Sequence, residues 1–61
     1  MADYRCYLLD QAGAVQAAET VVCADDEEAI ERAQQLLGHR PHHAAVEVWQ
    51  RQRLVRRVTR T

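Results

Sequence analysis

Lysine and serine are absent from this 61-residue chain, and glycine, proline and cysteine number two, one and two. Each shortage excludes a class of chemistry. Without serine there is no serine nucleophile, and Thr20, Thr59 and Thr61 sit on a strand or in the tail, where nothing would activate them. Gly13 and Gly38 both fall at turns, so no glycine-rich loop can cradle a phosphate. Cys6 and Cys23 form no CxxC and have no second pair, which leaves no structural zinc pattern. No stretch approaches the ~20 apolar residues of a membrane helix. The opening Met-Ala-Asp-Tyr-Arg lacks the apolar core of a signal peptide. A cytoplasmic location is therefore expected, with the cysteines reduced and acting as small buried hydrophobes.

Length sets a further bound. One small domain is the most that 61 residues can build, and a chain of this size buries only roughly 60% of its unfolded surface. A TIM barrel, a full dinucleotide-binding unit and a roomy enclosed active site are all out of reach. No enzyme activity, cofactor or small-molecule substrate is expected.

What is present is strongly patterned. Net charge is −1, yet residues 1–31 carry eight acids and one arginine while 32–61 carry seven arginines and one glutamate. Such asymmetry fits either a nucleic-acid-binding segment or two halves that pair within the fold, and the second is favoured. Tyr4 to Leu9 alternates and is rich in strand formers, and Asp10-Gln11-Ala12-Gly13 supplies a turn. Residues 14–23 return as a second strand. Closing the loop with Leu9 opposite Ala14 sets Leu8 against Val15 and Cys6 against Ala17, with Glu19 the one misfit that a bulge or an edge position would resolve.

Asp25 followed by Glu28 reads as a capping box, and Ala29, Ile30, Ala33, Leu36 and Leu37 form one apolar stripe of a helix over about 26–37. Gly38 is the expected C′ residue, and Pro41 prevents continuation. The cap accounts for the acidic cluster, so no metal is assigned to it. Two more strands, 44–49 and 54–58, flank a tight turn centred on Arg51-Gln52 that pairs Trp49 with Leu54, Val48 with Val55 and Glu47 with Arg56.

The predicted fold is thus α+β: a four-stranded, mainly antiparallel sheet with one helix on one face, built as ββαββ with strand order 2-1-3-4. Tyr4, Cys6, Leu8, Val15, Ala17, Val21, Val46, Val48 and Val55 should face the helix. The opposite face then presents Tyr7, Leu9, Trp49, Leu54 and Val58, interleaved with Arg5, Gln16, Glu47 and Arg56.

The string Tyr4-Arg-x-Tyr7-x-Leu9-Asp10-x-x-Gly13, then Asp25-Asp26-x-x-Ala29, then Val46-Glu47-Val48-Trp49-x-x-x-Arg53-Leu54-Val55 resembles a group of small bacterial single-domain ββαββ proteins of unknown function. The resemblance spans most of the chain and implies a topology. It implies no activity, so it assigns no functional residues.

Three candidate sites follow. An exposed face around Tyr7, Leu9, Trp49, Leu54 and Val58 would be a protein-interaction surface, most simply of a homodimer. The purely structural reading has Trp49 folding over the sheet edge to close a thin core. Alternatively, Arg51, Arg53, Arg56, Arg57 and Arg60 would contact phosphates of a nucleic acid, with Trp49 or Tyr7 as a stacking platform. Otherwise they are a charged edge that discourages aggregation. His39, His42 and His43 match no metal pattern and read as a solvated loop.

Overall fold

The computed structural model describes residues 1–60; Thr61 lies outside them. Four strands, β1 (Ala2–Leu9), β2 (Val15–Cys23), β3 (Ala45–Gln50) and β4 (Arg53–Thr59), and one helix, α1 (Asp26–Gly38), follow one another as ββαββ. All three pairings are antiparallel and the order across the sheet is β2-β1-β3-β4, as expected. The helix covers one face. Its buried stripe of Ala29, Ala33 and Leu37 packs on Tyr4, Cys6, Leu8, Cys23, Val46 and Val48. Two alanines at this contact let the helix lie close to the sheet.

Both helix ends are closed by side chains. Asp25 accepts the Glu28 N–H at 2.9 Å, while the Glu28 carboxylate accepts the Ala24 N–H at 2.8 Å, one residue before the cap. Gly38 departs from expectation: it is the last helical residue, and His39 is the cap at φ −95°, its N–H donating to the Gln35 and Leu36 carbonyls. The last turn of α1 holds no basic residue. Arg60, at the far end of β4, supplies the missing cation by donating to the carbonyls of Leu37, Arg40 and His43.

Each hairpin contains a bulge whose position the sequence did not reveal, and each turns a valine over. In the first, the Asp10 carboxylate accepts the N–H groups of Ala12 and Ala14 at 2.9 Å and the Gln16 amide at 2.7 Å. Gly13 provides the left-handed φ of +86° that this loop needs. Leu9 therefore faces Val15 instead of Ala14. Gln16 is left unpaired, and Leu8 and Cys6 face Ala17 and Glu19. Val15, expected under the helix, is instead 57% exposed on the opposite face. Glu19 stays on the helix side at the sheet edge, where Arg40 meets its carboxylate at 2.6 Å.

In the second hairpin, Trp49 faces Leu54 as expected, but Val55 is bulged out of the ladder. From there the register moves by one residue: Arg56 faces Val48, Arg57 faces Glu47 and Val58 faces Val46. Val55 and Val58 both pack against the core. Val58 thus leaves the face to which it was assigned, and Glu47 pairs with Arg57 rather than Arg56.

Among the described residues, no helix is long and apolar enough to cross a membrane.

Candidate interaction face

The face away from the helix is built in rows by the sheet register. Thr20, Arg5, Trp49 and Leu54 form one row, and Ala18, Tyr7, Glu47 and Arg57 the next. Val15, Leu9, Ala45 and Thr59 form the third. Of the five residues assigned to this surface from sequence, Tyr7, Leu9, Trp49 and Leu54 share it, and Val58 does not.

Their availability differs. Leu54 is 46% exposed, Tyr7 and Trp49 are half-buried, and Leu9 is only 3% exposed, so it forms the floor of the face rather than a contact. Val15 and Val22, 57% and 52% exposed, extend the apolar surface toward β2. Val22 was accessible from strand parity, since it alternates with Thr20 and Ala18. Val15 was not, because only the bulge at Gln16 turns it outward.

Trp49 stands on a central strand and is absent from the core cluster, so it does not close the core over an edge. Glu47 fixes its ring. One carboxylate oxygen accepts the indole N–H at 3.2 Å, and the other accepts from Arg57 at 3.4 Å. With Asp3 and Arg5 on the same parity, the face carries two acids and two arginines and is electrically balanced.

The five arginines of the C-terminal hairpin do not converge. Arg53 grips both oxygens of Asp26 at 3.0 Å, where Tyr4 also donates its hydroxyl at 2.8 Å. Arg57 lies on Glu47, Arg60 is wrapped around the end of α1, Arg56 is at the β4 edge, and Arg51 is in the turn. The Glu19–Arg40 and Asp26–Arg53 pairs each join an acid of the first half to an arginine of the second. That is the internal pairing the charge asymmetry suggested. The Arg53 guanidinium, with help from the Tyr4 hydroxyl, holds the Asp26 carboxyl below the usual carboxylate range, and the same contact pushes the Tyr4 hydroxyl up.

Other reactive groups are held away from solvent or from one another. Cys6 and Cys23 are free and buried, and burial pushes both thiols up, which keeps them as poor nucleophiles. The His39 ring contacts the Gln35 carbonyl at 2.8 Å, His42 is exposed, and the Nδ1 of half-buried His43 has no partner. Among the described residues, no three His, Cys, Asp or Glu side chains gather as a metal site.

Comparison with protein-family models, curated proteins and solved structures returned no match. Of what the sequence resemblance implied, the structure shows the ββαββ topology.

Proposed function

We propose that this protein is a small interaction module that forms a homodimer by packing the face around Trp49 against the same face of a second copy. The observation that carries the reading is a half-buried tryptophan on central strand β3 of the uncovered sheet face, directly across from exposed Leu54. Tryptophan, tyrosine and arginine are the residue types that dominate interface energetics, and Trp49, Tyr7 and Arg5 lie in adjacent rows.

Two features favour a second copy as the occupant. A face with equal numbers of acids and arginines carries no net charge to repel a second copy, whereas a nucleic acid would call for net positive charge. The size also fits. A face four strands wide at ~4.8 Å spacing and about six residues long projects roughly 400 Å². Two such faces bury on the order of 1,000 Å² once side-chain relief is included, the lower bound for a specific interface. The dimer should accordingly be weak and concentration-dependent.

Light scattering after size exclusion over a hundredfold concentration range tests this. Mass should rise toward that of two chains for the wild type, with little response to salt, and stay at one chain for Trp49→Glu. An identical mass distribution for wild type and variant at every concentration would remove the dimer reading. Association with single-stranded or duplex oligonucleotides that fades steeply with salt and with loss of Arg53 or Arg57 would replace it with phosphate contact along the arginine-rich hairpin.

A further inference from the structure

We propose that the groove at the end of the sheet, between the start of β1 and the β3–β4 turn, binds the phosphate group of a small phosphate ester through Arg5 and Arg51. The groove has a volume of 680 Å³, and Asp3, Arg5, Tyr7, Thr20, Gln50 and Arg51 supply its polar wall. That is within the range of small-ligand sites and far more than a bare phosphate fills, so an ester with an organic portion is the better fit.

Three observations converge on this groove. Arg40, Arg53 and Arg57 are each paired with a carboxylate, whereas Arg5 and Arg51, like Arg32, Arg56 and Arg60, have no such partner among the described residues. Of these five, only Arg5 and Arg51 line the groove. Arg51 also stands at φ +56°, the left-handed region where glycine is at home and a bulky side chain is not. An arginine kept at a strained position, with its charge unspent, fits a role that glycine could not fill. Finally, no hydrogen bond within the described residues engages the Tyr7 or Thr20 hydroxyl, which leaves both as donors toward the groove.

Two guanidinium forks and two hydroxyls match the three acceptor oxygens and double charge of a phosphate monoester. Asp3 on the wall works against them and limits affinity. Arg5, Tyr7 and Thr20 also lie in the rows of the Trp49 face, so a ligand in this groove and a second copy on that face compete for the same side chains. The assignment is therefore tested at a dilution where the chain is monomeric.

An amide-resolved NMR titration of the full chain at fixed ionic strength tests it, using inorganic phosphate, adenosine monophosphate and adenosine. Phosphate and the nucleotide should shift the same amides at Arg5, Tyr7, Thr20, Gln50 and Arg51, the nucleotide at lower concentration, and adenosine should shift none. Arg5→Gln and Arg51→Gly should each weaken binding about tenfold or more, and Arg32→Gln on the helix should not. Asp3→Asn should tighten it a few-fold. Because Arg51→Gly relaxes the left-handed residue, thermal melting should show it at least as stable as wild type, so its lost affinity cannot be unfolding. Absence of shifts up to about 10 mM ligand overturns the proposal. So does equal weakening by Arg32→Gln, or tighter binding of a single-stranded oligonucleotide with shifts spread over residues 53–60.

Discussion

The bulge at Val55 makes a prediction that separates it from the regular hairpin register. With the bulge, Val58 faces Val46 beneath the helix, while Leu54 lies 46% exposed on the opposite face. Replacing Val58 by glutamate forfeits the burial of a half-buried valine, about 1 kcal/mol, and brings a carboxylate against an apolar neighbourhood at about 1–2 kcal/mol more. Its cost should therefore be about 2–3 kcal/mol. Leu54→Glu places the same charge where water already reaches and should stay within about 0.5 kcal/mol of wild type. A domain of this length holds roughly 3–9 kcal/mol in all, so the first variant should lose a large part of its stability and the second almost none. Urea unfolding followed by tryptophan fluorescence measures both at a dilution where the chain is monomeric. A regular register would put Val58 on the open face beside Leu54 and make both positions tolerant. Equal urea midpoints for the two variants, or a Val58→Glu protein as stable as wild type, would refute the bulge and with it the assignment of faces on β4.

Three further outcomes follow from local structure. Gly38→Ala should raise stability by about 0.5–1 kcal/mol, since Gly38 is helical and an added methyl meets open space, whereas Gly13→Ala at φ +86° should lower it by about 1 kcal/mol; thermal melts separate the two signs. Arg60→Ala should cost about 1 kcal/mol in urea unfolding by releasing the carbonyls of Leu37, Arg40 and His43, and Arg60→Lys, which lacks the planar fork, should recover only part of it. Asp10 is held below the usual carboxylate range by the Ala14 N–H first and the Gln16 amide next, and Asp26 by Arg53. A carboxyl depressed in the folded state adds stability above its unfolded pKa and loses it as the pH falls toward the folded value. Stability should therefore decline below about pH 4, and more shallowly in Asp10→Asn and Asp26→Asn, as unfolding measured against pH will show.

Element order, the two hairpin pairings, the capping box and the Ala29, Ala33 and Leu37 stripe were legible because each depends on short spacings that the sequence displays directly. Asp25 and Glu28 are three residues apart, and Ala29, Ala33 and Leu37 recur at four. The β1–β3 pairing, in contrast, joins distant residues and had no such local signal. The positions of Val15 and Val58 were not legible, for one shared reason. A bulge adds a single residue to one strand and inverts the parity of everything beyond it, yet leaves the apolar pattern of the strand itself unchanged. Glu19 was the one visible sign, as a charge on the buried parity, and its bond to Arg40 twenty-one residues away shows how an edge position accommodates it. Arg60 was misjudged for a different reason. A basic residue in a basic run reads as a surface charge, and nothing local announces that it reaches back across the fold to the end of α1.

The two bulges also bear on how this domain can associate. They lie on β2 and β4, the two edge strands, while the central strands β1 and β3 contribute no extra residue to either pairing. A bulge disturbs the regular row of donors and acceptors along an edge, and β4 adds Arg53, Arg56 and Arg57 to that protection. Edge-to-edge extension of the sheet is thereby disfavoured on both sides. The same irregularities exchange one valine for another: Gln16 lets Val15 out onto the open face, and Val55 brings Val58 into the core. The core keeps its complement of branched side chains while the open face gains exposed Val15 next to Leu9, so the devices that close the edges also enlarge the apolar surface between them. Self-association, if directed by this architecture, runs through the face and not the rim. Lys at Val22 should then weaken the dimer in step with Trp49→Glu, whereas proline at Thr20, which removes an N–H from β2, should alter monomer stability without a separate effect on the dimer once stability is taken into account. A dimer that survives Trp49→Glu but is lost with the proline would place the contact on the β2 edge instead.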